Sequence, residues 1–121
     1  MMRKESPKEV PKVWGSEIWL VNSDKYCAKY LNIKKGAQGS LHFHKEKEET
    51  FFCLSGCVEL YICGDVIRMI ATSEPITIEP NDIHSIKGLE ESVILEISTT
   101  HDDNDVFRLR ESHGVVGEDE V

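Results

Sequence analysis

His42 and His44 stand one residue apart, Glu48 and Glu49 follow closely, and a third histidine, His84, lies in a later segment of the 121-residue chain. Imidazoles and carboxylates are donors that hold first-row transition metals. Side chains alternate faces along a strand, so His42 and His44 point one way while Leu41 and Phe43 point the other. Such a pair offers two imidazoles to a single ion. Glu49 opens the run ETFFCLSG and would supply a carboxylate from the neighbouring strand. His84 follows the turn EPND, heads a further strand, and would bring a third imidazole from the other sheet. Three imidazoles and one carboxylate suit one divalent transition metal (Mn, Fe, Co, Ni or Zn) and leave coordination positions open to substrate. Glu48 competes with Glu49 for the carboxylate role, and only one can take it, because adjacent strand residues face opposite sides.

The elements that must position these groups are strands. From Trp14 onward the chain is a procession of short apolar runs: EIWLVN, YCAKYLNIK, GSLHFH, TFFCLSG, CVELYIC, DVIRMI, PITIEP, HSIKG and SVILEIS. Turn residues separate them, among them NSD, KKGAQG, TSEP, EPND and GLEE. Regular short strands with turn signals between them predict an all-β sandwich or barrel. One helix is expected, over NDVFRLRESHG, capped by Asn104 or Asp105 and stopped by Gly114. Residues 1–12 carry charge and two prolines without apolar periodicity, which predicts a flexible arm ahead of a single domain over 13–121.

Composition narrows the function classes. Lys and Arg number 14 against 22 Asp and Glu, a net charge of −8, which argues against a nucleic-acid partner. No apolar run approaches the roughly 20 residues of a membrane helix. The opening MMRKESPKEVPK lacks the apolar segment of a secretory signal, so a cytoplasmic location is expected. Cys27, Cys53, Cys57 and Cys63 form no C-x-x-C pair and are expected to be reduced thiols. Exposed strand edges make a homodimer an expectation as well.

The spacing Gly36, five residues, His42-x-His44, four residues, Glu49, six residues, Gly56 resembles the first motif of the cupins, and PNDIH, from Pro80 to His84, resembles a shortened second motif. That resemblance implies a small jelly-roll β-barrel of two packed sheets with His42, His44, Glu49 and His84 as metal ligands. The six-residue gap to Gly56 favours Glu49 over Glu48. Asp82 stands near where many cupins carry glycine, so this turn is expected to differ in shape. More narrowly, VWGSEIWLVNSDKYCAKYLNIKKGAQGSLHFH looks like the opening of the type II phosphomannose isomerase domain. Asp105, Arg108, Leu109 and His113-Gly114 resemble that family's closing stretch. The chain departs from it at His42, where the family commonly has Gln, and at Val115, where it has Arg. The three-His, one-Glu shell is similar to that of the D-lyxose isomerase-like cupins.

These resemblances imply an aldose–ketose isomerase acting on a sugar or sugar phosphate through an enediol. Such a reaction needs a Lewis acid on the carbonyl and neighbouring hydroxyl, and a base that carries a proton between the two carbons. Glu96 interrupts the apolar run VILEIS and is the first candidate base, since a carboxyl in a partly dry cavity has a raised pKa. The alternative is that Glu96 faces solvent and leaves Val93, Leu95 and Ile97 inside. Lys29 interrupts YCAKYLNI in the same way and would bind substrate oxygens or assist proton transfer, unless it is an edge-strand lysine. Arg108 is a candidate for a substrate anion, or a partner of Asp105 or Glu111 on a helix face. Lys47 is a further substrate-binding candidate, although the run KEKEE reads more simply as a solvated charge cluster. His101, Asp102 and Asp103 read as an acidic loop before a helix cap, and His113 has no assigned role. An iron-dependent cupin dioxygenase and a non-enzymatic sugar-binding cupin use the same donor set and remain alternatives.

Overall fold

The computed structural model describes residues 1–115, so the last six positions of the expected domain lie outside the described residues. Eleven strands run in chain order as β1 (Lys8–Lys12), β2 (Gly15–Asn22), β3 (Cys27–Ile33), β4 (Leu41–Phe43), β5 (Glu49–Ser55), β6 (Cys57–Ile62), β7 (Asp65–Ile70), β8 (Ile76–Ile78), β9 (His84–Gly88), β10 (Ser92–Ser98) and β11 (Phe107–Arg110). They form two antiparallel sheets, ordered β1-β2-β3-β10-β5-β8 and β11-β4-β9-β6-β7. All nine strands read from the sequence are present.

Strict alternation sets the faces of the central strands. In β3, Cys27, Lys29, Leu31 and Ile33 point inward, and in β10 Ser92, Ile94, Glu96 and Ser98 do the same. The register Lys29↔Glu96↔Phe51 and Leu31↔Ile94↔Cys53 divides the inner face. Toward one end lie Leu31, Ile33, Cys53 and Ile94, packed with Val58, Leu60 and Met69 of the facing sheet. Each large apolar side chain buried there contributes about 1.5–3 kcal/mol. That apolar end offsets the cost of the polar one, where Lys29, Glu49, Glu96 and Ser98 are also buried.

Both ends of the chain differ from expectation. Residues 8–12 pair along their whole length with β2, so the N-terminal segment is an edge strand rather than a free arm from Lys8 onward. Pro11 is tolerated because an edge strand needs only half its N–H groups. The expected helix over NDVFRLRESHG is also absent. Asp103–Asp105 makes one 3-10 turn, with the Asp102 side chain accepting from the Asn104 N–H, and the chain then enters β11 against β4. The alternating Phe107-Arg108-Leu109-Arg110 suits a strand, and Phe107 stacks on Phe43 with ring centroids 5.2 Å apart. Strand pairing on the open side of β4 outweighs what two helical turns would gain in isolation.

Gly56 shows why the first motif needs glycine there. Its φ is +83°, and a Cβ would sit 2.3 Å from the Glu91 carbonyl oxygen and 2.4 Å from Ser92 Oγ. In the second motif the left-handed conformation falls on Asn81 (φ 72°), a residue type that tolerates it, and Asp82 needs no glycine. All four cysteines are unpaired thiols, with only Cys63 exposed.

Candidate metal centre and its cavity

The H-x-H pair behaves as alternation demands. His42 on β4 and His44 just past its end project inward, and the register His42↔His84 brings the third imidazole in from β9. One ring nitrogen from each of His42, His44 and His84 lies within 4.8 Å of the others. The outer nitrogens are all tied to backbone: His42 Nδ1 to the Ser40 carbonyl at 3.0 Å, His44 Nδ1 to that of Asp105 at 2.7 Å, and His84 Nδ1 to that of Asp82 at 2.8 Å. A carbonyl only accepts, so each Nδ1 donates to it and each Nε2 is the ring nitrogen turned toward the site. Holding the far nitrogen this way is how metal-ligating histidines are oriented.

Electrostatics keep His42 and His44 in ligand form. Burial, together with the neighbouring His84 and His44 rings, lowers the His42 pKa to about 3. Burial lowers that of His44 as well. Glu49, buried at the head of β5, places Oε1 3.0 Å from His84 Nε2 and Oε2 3.6 Å from His44 Nε2. Burial would raise its pKa, yet His84 and the Lys47 ammonium more than reverse this and hold it well below the usual carboxylate range. Despite the nearby carboxylate, His84 Nε2 is fully buried without a hydrogen bond of acceptable geometry. A buried ring nitrogen without a hydrogen bond, beside two others and an ionised carboxylate, is donor chemistry for a divalent cation, and these residues fit one. Glu48, by contrast, is exposed on the opposite face.

The cavity beside these groups has a volume of about 100 Å³, and Lys29, Lys47, Glu96, His101 and Arg108 share its walls with His42, His44 and Glu49. Through Lys12, Glu17 and Arg108 it adjoins an outer groove of about 390 Å³ that Trp14 also lines. A larger depression of about 450 Å³ lies around Asn32, Ser55 and Glu91 and contains none of these groups. Glu96 faces inward, buried, while Ile97 is 54% exposed. Its Oε2 accepts from Lys47 Nζ at 2.8 Å and from Ser98 Oγ at 3.2 Å. Burial and the charge of Glu49 push its pKa up against the pull of Lys47 and Lys29.

Lys47 does not belong to a solvated run. It is only 4% exposed, and its ammonium meets Glu96 at 2.8 Å, Glu49 at 3.2 Å and His101 Nδ1 at 3.1 Å. Burial alone would drive its proton off, but the two carboxylates reverse this and raise its pKa. The cause lies in a distant residue. The Asp105 carboxylate accepts from the N–H groups of Lys45, Glu46 and Lys47, curling the loop so that Lys47 turns inward while Lys45 and Glu46 stay exposed.

Lys29 is buried on a central strand, not an edge, with its amine 3.5 Å from Glu17 Oε1 and 4.2 Å from the centre of the Trp19 ring. Arg108 sits on β11 opposite His42, exposed at the cavity mouth, and pairs with neither Asp105 nor Glu111. His101 is part of the wall rather than of a loop outside it, donating from Nε2 to Asp103 Oδ1 at 2.8 Å. His113 bonds Gln38 away from the site. Glu17 and Trp19 were legible only as a pair two apart on one strand face, and nothing local sets them beside Lys29.

The polar wall and three-histidine cluster now have relatives. A family model of the mannose-6-phosphate isomerase C-terminal domain matches residues 2–111. A D-lyxose/D-mannose isomerase of Thermosediminibacter oceani is 30% identical over 115 residues, covering 72% of this chain and 64% of that protein. The chain thus spans less than two thirds of that relative's length. Among solved structures, KdgF from a Halomonas species superposes with a TM-score of 0.72 at 16% identity, over 83% of this chain and 90% of that one. A Streptomyces PAC13 variant with uridine gives a TM-score of 0.76 at 16% identity, over 98% of both chains. Among the described residues, no helix is long and apolar enough to cross a membrane. With the three-histidine cluster on two facing antiparallel sheets and the family model spanning nearly the whole length, the chain belongs to the mannose-6-phosphate isomerase C-terminal family of cupins.

Proposed function

We propose that this protein is a metal-dependent aldose–ketose isomerase acting on a sugar or sugar phosphate. The observation that carries the reading is a buried carboxyl, Glu96, in the same small cavity as His42 and His44, whose ring nitrogens converge with that of His84. His42, His44, His84 and Glu49 would hold one divalent transition metal. When bound, that ion supplies Lewis acidity to a carbonyl and the adjacent hydroxyl.

The chain's own residues account for the rest. Glu96, ionised, takes the proton from the carbon next to the carbonyl and returns it to the neighbouring carbon of the enediol. Lys47 and Ser98 hold Glu96 Oε2, and no described residue hydrogen-bonds Oε1, which is left to face substrate. Lys29 binds substrate oxygens from the wall, Lys47 spends its three N–H groups on Glu96, Glu49 and His101 and so positions the base, and the exposed guanidinium of Arg108 meets an anionic substituent at the mouth. A wall so dense in charge suits a polyol and gives an apolar substrate little beyond Phe51 and Val106 to bury against. The relative named as a D-lyxose/D-mannose isomerase supports the reaction class.

The test is turnover of free aldoses and aldose phosphates by protein loaded in turn with Mn, Fe, Co, Ni and Zn, run in deuterated water. Ketose product carrying solvent deuterium next to its carbonyl is expected. An absence of ketose with every metal would remove the reading, and oxygen uptake in its place would turn attention to a dioxygenase.

A further inference from the structure

Glu17 and Trp19, which the chemistry above does not use, form a unit with Lys29. Glu17 and Trp19 share the inner face of β2, and the register Trp19↔Lys29 sets the lysine beside them on β3. The indole N–H donates to Glu17 Oε1 at 2.8 Å, which orients the carboxylate. The Lys29 ammonium reaches the same oxygen at 3.5 Å and lies over the indole ring. Lys8 also approaches that ring, at 5.2 Å from its centre, so Trp19 has lysines rather than open space against it and acts through its N–H. Among the described residues, Glu17 Oε2 has no partner and Lys29 has no other acceptor. Glu17 lines both the metal cavity and the outer groove.

The result is a fixed acceptor beside a fixed cationic donor. Each hydroxyl of a polyol both donates and accepts, so two neighbouring hydroxyls can give one hydrogen bond to the carboxylate and take one from the ammonium. We propose that Glu17 and Lys29, oriented by Trp19, form a vicinal-diol subsite that selects the substrate by the configuration of hydroxyls remote from its reacting carbons. This rests on the sugar reading of the cavity. A site built to hydrogen-bond hydroxyls rejects a ligand lacking one, because the buried polar groups are then left unpaired.

The probe is a six-carbon alditol, which binds without reacting, compared with the same alditol lacking one hydroxyl. Binding to the metal-loaded protein is read by calorimetry and by the intrinsic fluorescence of Trp19, with Trp19→Phe identifying its signal. The alditol should bind the wild type and alter Trp19 emission. Glu17→Ala should weaken it about tenfold to a hundredfold, as expected for a lost hydrogen bond to a charged group, and should erase the preference over the deoxy compound. Glu17→Gln, which keeps the size and one acceptor oxygen, should lose less, and thermal melting of both variants checks the fold. No alditol binding to the wild type, or equal binding by folded Glu17→Ala, would overturn the subsite. The isomerase reading fails separately. Glu17-dependent alditol binding without turnover would leave the subsite standing alone, whereas turnover with unchanged aldose selectivity in Glu17→Ala would leave only the isomerase.

Discussion

Glu96→Gln separates a base from a structural carboxylate. Oε2 of Glu96 accepts from Lys47 and Ser98, and glutamine keeps one acceptor oxygen for both donors, turning its amide nitrogen toward the cavity. The change replaces the ion pair with Lys47 by a hydrogen bond from the same ammonium to a neutral amide, at about 1–2 kcal/mol. For a domain of this size that is a fall of several degrees in Tm. Lys47 still has Glu49 at 3.2 Å, so the metal ligands should stay in place and metal content should not change. The rate is another matter. Loss of general-base assistance removes roughly 10²- to 10⁴-fold, equivalent to about 2.7–5.5 kcal/mol of barrier, so kcat should fall by that factor with KM little altered. The pH profile adds a second signature. The base works ionised, and its raised pKa places the acid limb of kcat above the ordinary glutamate value of about 4.3. The variant should lack that limb. The assay is initial-rate turnover with the best metal and aldose, alongside metal analysis and melting. Unaltered kcat in a folded, metal-loaded variant would refute the role and turn attention to Lys29.

Four other outcomes follow from the geometry. His44→Ala should abolish tight metal binding, while Glu48→Ala on the exposed face should leave it intact; equal losses in elemental analysis would mean that the carboxylate or the strand facing is misassigned. Lys47→Met leaves two buried carboxylates without their shared cation and should cost about 3–5 kcal/mol in chemical denaturation at neutral pH, a loss that should shrink on acidification as the carboxylates take up protons. In the metal-free protein, His42 is protonated more readily unfolded (about 6.5) than folded (about 3), so its contribution to stability is present above about pH 6.5 and is lost as pH falls toward 3; the slope should weaken in His42→Gln. Thiol titration under denaturing, non-reducing conditions should find all four cysteines free, and two would contradict the unpaired thiols seen here.

The strands and the direction of the candidate metal ligands follow from local pattern. Alternation turns His42 and His44 to one side and separates Glu49 from Glu48, and Gly56, at a φ of +83°, closes the β5–β6 turn. Such features need only neighbours within a few residues, so the all-β class, nine of the strands and the common facing of His42 and His44 are legible before folding. Only tertiary structure decided the rest of the wall. Lys47 sits in a charge run that reads as solvated, and it is buried because Asp105, 58 residues away, caps its loop while Glu96 comes in on another strand. Residues 107–110 lack a strand partner nearby in sequence and gain one only when β4 presents an open edge. Glu17, Trp19 and Lys29 become one unit through the β2–β3 register. The physical reason is common to all three: burial of a charge is tolerable only where distant chain segments bring its counter-charges and hydrogen bonds, and no local pattern encodes that meeting.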